Sequence, residues 1–431
     1  MQTQVPSPDP TPEAGPSHLD SAALVLGAHQ RKARIVGIAY IVVGVLCLWW
    51  FGLGSESGKD SSFGLAGAGD TTLTVPARTT GITVGVVVIF LGGLQLARGF
   101  RRRGAITTIV VVLVAFAFLA WATRGADFSL SGMLQTTLQR ATPLALGAMA
   151  GVLCERAGIV NIAIEGMMLF AAFGGAVAGS VAGSPWAGLV FGLACGAVLA
   201  YAHAGLSIRF QVDQIISGTV INIFALGITS YLATRLFPVY ENLNKGVTFQ
   251  QWEIPILSEI PLIGPVLFEN NIFVYALFVL VPFVTWALFR TKWGLRVRAV
   301  GEHPRAADTV GIDVYKVRYR SVALGGVMAG LAGSYLTLGS VGSFEQNMTA
   351  GRGFIALAAM IFGRWNPVGA LGAALLFGFA ESLQTKLAIL ETPIPSQFLL
   401  MAPYVVTLFV VAGFVGRSRA PAADGQPYVK D

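Results

Sequence analysis

Charge is scarce in this 431-residue chain: 12% of residues are Asp, Glu, Lys or Arg, against 54% hydrophobic. That balance excludes a water-facing globular surface over most of the length. It also excludes nucleic acid as a partner. The basic residues behind the net charge of +7 sit in short stretches between apolar runs, where membrane topology rather than phosphate binding requires them. Cysteine and histidine are few. Cys47, Cys154 and Cys195 fall in or beside apolar runs, and His18, His29, His203 and His303 form no His-x-x-x-His pair. No metal centre and no disulfide framework follow from such spacings. There is no G-x-x-x-x-G-K-[ST] loop, nucleophile elbow or zinc motif, so no catalytic residues and no ATP site of its own are assigned to the chain.

Long apolar runs dominate what remains. Many approach or exceed 18 residues, enough to cross a bilayer as helices, and the 52 glycines suit close helix packing. The expected fold is all-α, a polytopic transmembrane bundle of about twelve spans. Residues 1–30 read as a disordered cytoplasmic tail. Residues 31–125 read as an N-terminal extension with spans near 35–53, 81–97 and 105–123. After Asp127 the runs become richer in Gly and Ala and hold more polar residues. This core, 126–416, is expected to span near 131–153, 159–182, 186–208, 215–236, 272–289, 321–341, 366–386 and 398–416. A shorter apolar segment at 353–363 either crosses or re-enters. A pseudo-symmetric repeat relating 129–236 to 272–416 fits the Gly-rich, partly broken span in each. Loops 54–80 and 237–271 read as external. Arg98, Arg101–Arg103, Arg417 and Arg419 place both termini inside, with 417–431 as a second cytoplasmic tail.

Polar residues inside apolar runs are the candidates for a solute pathway. Asn161 and Glu165 stand at i, i+4 in GIVNIAIEGMMLF, one face of an expected helix. An intramembrane carboxylate costs roughly 2.5–3.5 kcal/mol on insertion scales and is tolerated beside a cavity or a partner group. Asn222, Glu381 and Gln384 are further cases, and Glu381 and Gln384 share a face at i, i+3. Each of these also fits a structural role as a hydrogen bond between helices. Asn161 and Glu165 are expected to face a central, water-accessible cavity that serves a neutral polar solute.

Residues 290–320 form the most basic interruption, with eight Lys/Arg against Glu302, Asp308 and Asp313. Short loops of this kind remain cytoplasmic. Pro304 suits a first helical position and Gly311 the residue past a helix end, which predicts about two turns of helix near 304–310. Ala306, Ala307 and Val310 would share its shallow face. From the residues alone, this is either a docking element or a basic loop with an isolated helical turn.

Several stretches together resemble the membrane permeases of ABC importers, in the branch that serves ribose, branched-chain amino acids and nucleosides. They are GVLCERAGIVNIAIEGMM, FQVDQIISGTVINIFALG, GLRVRAVGEHPRAADTVGIDVYKVRY, GRGFIALAAMIFGRWNPVGALGAALLFG and APYVVTLFVVAGFVGR. The detail is most similar to the nucleoside-uptake permeases. The resemblance covers residues from about Ser129 onward; the first three spans have no counterpart in the short family form. It implies a permease of a bacterial cell membrane that moves a neutral polar solute, nucleosides above all, inward by alternating access. It implies that Glu302, Pro304, Ala306, Ala307, Gly311 and Ile312 form a segment docking on a cytoplasmic ABC ATPase, which supplies the ATP and Mg site. It further implies a second, different permease subunit and an extracytoplasmic solute-binding lipoprotein. A simple-sugar permease, for ribose for example, is the nearest alternative. An ion-coupled secondary transporter using Glu165 or Glu381 as proton carrier is another.

Overall fold

The computed structural model describes residues 33–56, 58–65, 72–100, 103–390, 398, 401 and 419–430. The expected tail 1–30 and nearly all of the expected span 398–416 lie outside the described residues. Among those described, nine helices are long and apolar enough to cross a membrane, so the chain is a polytopic helical membrane protein. The chain divides into two compact units, residues 1–63 with 73–128, and residues 64–72 with 129–431.

The first unit contains α1 (Ala33–Leu53), α2 (Ala77–Ala97) and α3 (Arg103–Ala122). Its buried centre is Tyr40, Cys47, Val84, Val88, Val110 and Ala117. Tyr40 and Thr107 share a hydroxyl–hydroxyl bond of 2.5 Å, and the Ser61 hydroxyl donates to the carbonyl of Ala120. Strands β1 (Asp60–Gly64), β2 (Thr72–Pro76) and β3 (Asp127–Ser129) pair in the order β2-β1-β3.

The second unit is built on α4 (Leu130–Glu155), α5 (Ile164–Ala182), α6 (Pro185–Ala204, continuing in wider turns to Arg209) and α7 (Gln214–Leu236). The loop that follows holds β4 (Trp252–Glu253), α8 (Ile263–Phe268) and β5 (Glu269–Asn270). The two strands pair antiparallel, Trp252 opposite Asn270 and Glu253 opposite Glu269. Helix α9 (Ile272–Arg290) starts at Asn271, whose side chain accepts from the N–H groups of Phe273 and Val274. Then come α10 (Lys292–Glu302), α11 (Pro304–Thr309), α12 (Val314–Leu336, continuing to Val341), α13 (Arg352–Phe362) and α14 (Pro367–Ile389). The core packs Leu144, Met149, Met168, Leu277, Ala329 and Met360 among others, and Cys154 and Cys195 are buried free thiols.

Two departures from the sequence reading matter. The expected span 159–182 is not one helix, because residues 159–163 are irregular and α5 begins at Ile164. Asn161 therefore shares no helical face with Glu165. The second departure concerns 353–363. Its helix of 11 residues is about 17 Å long, too short for a core of about 30 Å. Gly147 faces Ala356 and Gly151 faces Met360, so α13 runs parallel to α4. Helix α14 runs the other way, with Glu381 beside Arg140 and Ser382 beside Met133. The chain thus reverses before α13 and again after it. The stretch 342–365 leads back along α4 from the end of α12 to the start of α14, part irregular and part helix. Each of the stretches 129–236 and 272–390 contains one such interrupted segment; the irregular residues 159–163 are enclosed by protein, whereas Glu345, Gln346, Asn347 and Ala350 of the second are exposed.

Candidate functional site

The first interrupted span is held by side chains that satisfy its free backbone groups. The Gln214 side chain accepts from the N–H of Val160 at 2.7 Å, and His203 Nε2 lies 2.9 Å from the carbonyl oxygen of Val160. Asn222 clasps the start of α5 with both atoms of its amide, accepting from the N–H of Gly166 and donating to the carbonyl of Ile162. Glu165 reaches the second interruption. Its Oε1 accepts from the N–H of Gly351 at 2.8 Å and its Oε2 from the N–H of Gly353 at 2.5 Å. A carboxylate at the first turn of α13 complements the positive end of that helix and satisfies donors that have no partner within it. Glu165 is 8% exposed, and Asn161 is fully buried, with its Nδ2 directed at the sulfurs of Cys154 and Met167. The expectation that Asn161 and Glu165 line a water-accessible cavity is corrected. Both are buried between elements: Glu165 is spent on the backbone N–H groups of Gly351 and Gly353, and Asn161 faces sulfurs, with its Oδ1 left without a hydrogen-bond partner.

A cavity of about 420 Å³ lies elsewhere, at the end of the bundle that holds Tyr335 and far from Arg318 along α12. Gln139, Arg140 and Pro143 of α4, Tyr335 and Arg352 line it, with Glu345 at the loop. Pro143 has no N–H to give the carbonyl of Gln139 one turn earlier, which leaves that acceptor for another donor. Beside the cavity, Glu381 of α14 accepts from Arg140 and, at 3.1 Å, from Arg352. One half-buried carboxylate thus ties α4, α13 and α14 together. Gln384 lies one turn further along α14, half-buried. Sequence reasoning found Glu381 but missed Arg140 and Arg352. Arg140 was legible as a lone cation within an apolar run.

At the opposite end, the structure has a helix that the sequence reading missed. Helix α10 is capped by Thr291, whose hydroxyl accepts from the N–H of Gly294, and it places Trp293, Val297 and Val300 on one face at helical spacing. Helix α11 begins at Pro304 and ends before Gly311, whose φ of +82° is the left-handed conformation expected past a helix end. Its faces differ from expectation. Ala307 is 3% exposed and packs with Val300, Val314 and Tyr428, whereas Ala306 is exposed and Val310 is 75% exposed. The three do not share an outward face, because Ala307 is the contact that holds this short helix to the bundle. Glu302 and Gly311 are exposed, and Pro304 and Ile312 are half-buried. Asp313 caps α12, accepting from the N–H of Lys316, and this bond together with the Lys316 ammonium holds its carboxyl below the usual range. Helix α12 begins seven residues before the expected span 321–341, since Val314 to Arg320 are already helical.

Residues 133–411 match the family described as the branched-chain amino acid transport system / permease component. The guanosine ABC transporter permease protein NupQ of Bacillus subtilis is 42% identical over 310 residues, covering 70% of this chain and 97% of that one. The nucleoside ABC transporter permease protein NupC of Lactococcus lactis subsp. cremoris is 42% identical over 303 residues, 67% of this chain and 94% of that one. The putative glucose ABC transporter permease protein TsgC13 of Haloferax volcanii is 39% identical over 260 residues, 59% of this chain and 78% of that one. No solved structure matches the chain significantly. With the family model matching residues 133–411 and 42% identity to permeases covered nearly end to end, the chain belongs to the branched-chain amino acid-type family of ABC transporter permeases.

Proposed function

We propose that this permease subunit carries nucleosides into the cell. The observation that carries the reading is the 42% identity to a guanosine permease across nearly all of that protein's length. The cavity of about 420 Å³ lies within the size range of small-molecule sites, and its lining offers amide, phenol and guanidinium groups suited to hydroxyls and base edges. In this reading Glu381 and Gln384 belong to the solute pathway, with Arg140 and Arg352. Glu165 and Asn222 brace the interrupted segments that frame it, and Asn161 is buried within the first.

In this reading segment 290–320 is cytoplasmic, which its basic excess supports, and both termini lie on the same side. The cavity then opens outward, toward a solute-binding lipoprotein. The exposed side of α11, with Pro304, Ala306 and Val310, docks on an ABC ATPase that binds ATP and Mg and hydrolyses the nucleotide; this chain binds no cofactor. Glu302, Gly311 and Ile312 flank that surface, and Ala307 anchors it from behind. A second, different permease completes the pathway, and ATP-driven closure of the ATPase pair re-gates the spans between outward and inward access.

The decisive measurement is uptake of labelled guanosine, other nucleosides, ribose and glucose by cells with and without the gene. Saturable guanosine uptake that depends on the gene and is competed by other nucleosides is expected. Uptake of glucose alone, as the name of the Haloferax relative would imply, refutes the nucleoside reading. Uptake that persists when cellular ATP is depleted but the ion gradient is kept refutes the ATP-driven one.

A further inference from the structure

Residues 419–430, RAPAADGQPYVK, were expected to be a plain cytoplasmic tail. They lie beyond the part of the chain that matches the family, which ends at residue 411. In the structure they pack onto the bundle. Pro421, Ala423 and Tyr428 are buried. The N–H of Ala423 donates to the carbonyl of Gly301 at 2.9 Å, and the N–H of Ala422 donates to the Glu302 carboxylate at 3.2 Å, so the segment grips the end of α10. Lys430 reaches Asp308 of α11 at 3.4 Å. Tyr428 stacks at a tilt on Tyr315 of α12 and completes the apolar pocket around Ala307.

Beneath the segment lies a cluster of buried charge. Arg318 of α12 is 1% exposed; its Nη1 donates to the carbonyl of Gln426, while its Nε and Nη2 have no hydrogen-bond partner. Asp424 of the segment is the acid that faces this cation and the Glu155 carboxyl at the end of α4, and the backbone of Ala423 lies against Gly158 in the turn that follows α4. Glu155 Oε2 in turn accepts from the indole N–H of Trp365, between α13 and α14. A buried cation whose facing anion sits on another segment is strongly destabilised when that segment leaves. Helix α11, at six residues, is also too short to hold its shape without tertiary contacts.

We infer that residues 419–430 are a fixed strap that joins the α10–α11 docking segment to α4 and α12, so that a displacement of the docking segment moves the spans rather than bending the loop alone. The inference rests on the docking role proposed above for α11. Asp424 acts as a positioning residue: opposite Arg318 it fastens the strap to α12, while Ala423 against Gly158 holds it to the end of α4, and both helices also reach the cavity, through Arg140 on α4 and Tyr335 on α12.

The test uses the full transporter with its ATPase in proteoliposomes, where bound ATPase, ATP hydrolysis and nucleoside uptake are read together. Asp424→Asn and deletion of residues 421–431 should keep the ATPase bound and hydrolysing, while uptake per ATP hydrolysed falls at least tenfold. Asp424→Glu, which restores the charge, should recover most of it. Unchanged uptake per ATP in the deletion overturns the strap, and so does loss of the bound ATPase from both variants. Should the deletion fail to accumulate, a thiol cross-link between Tyr315→Cys and Tyr428→Cys, whose rings stack in the structure, decides alone when its cross-linked and reduced forms are compared. A fixed strap leaves uptake unchanged when cross-linked, whereas loss on cross-linking and recovery on reduction would mean that the segment must lift. Val310→Arg tests the underlying docking reading separately. It should release the ATPase, and its retention would refute docking through α11 without altering the cross-link result.

Discussion

Replacing Glu165 by Gln separates a structural carboxylate from a transport carboxylate. The substitution keeps the shape of the side chain and removes its charge. In the structure both oxygens accept backbone N–H groups, from Gly351 at 2.8 Å and Gly353 at 2.5 Å, and the residue is 8% exposed. A glutamine can offer its oxygen to one of those donors, but its NH₂ then points at the other. A hydrogen bond to a charged group contributes about 1.5–3 kcal/mol, roughly twice a neutral one, and a buried N–H left without a partner costs about 1–3 kcal/mol. The expected loss is therefore about 2–4 kcal/mol, concentrated where α13 meets the irregular chain before it. The assay pairs thermal unfolding of the purified complex with uptake normalised to folded protein. A lowered unfolding temperature, by on the order of 5 °C or more, with uptake per folded transporter largely kept, is the expected result. An unchanged unfolding temperature with uptake abolished would refute the brace and put the charge of Glu165 in the pathway.

Glu381→Gln removes the negative charge shared by Arg140 and Arg352 and leaves two guanidinium groups side by side without a counter-ion. Uptake should fall at least tenfold in a protein that still inserts, with about 1–3 kcal/mol lost from stability because the cluster is half-buried rather than sealed; normal uptake kinetics would contradict this. Gly301→Ala directs a methyl group into the carbonyl oxygen of Arg156, where backbone meets backbone and no side chain can yield. Overpacking of about 1–3 kcal/mol should shift α10 away from the α4–α5 turn and cut uptake, and wild-type behaviour of this variant would show that the two do not bear on each other.

The sequence by itself determined the membrane character, most of the span positions and the family. Each of these is written locally, in run length, in the placement of Lys and Arg, and in long motifs. Pro304 and Gly311 gave the bounds of α11 for the same reason, because a helix start and a helix end are chosen by single residues. The direction in which a side chain points was not legible. Asn161 and Glu165 look like one helical face until the chain breaks at residues 159–163, and that break depends on acceptors and donors supplied by Gln214, His203 and Asn222 from other helices. Ala307 looked like part of a docking face until Tyr428, more than a hundred residues later, closed over it. The grouping of Arg140, Glu381 and Arg352, and of Glu155, Arg318 and Asp424, likewise needed the tertiary structure. Charges so far apart in the chain carry no mutual signal in sequence; packing alone brings Arg140 and Arg352 within ion-pair distance of Glu381 and sets Asp424 opposite Arg318.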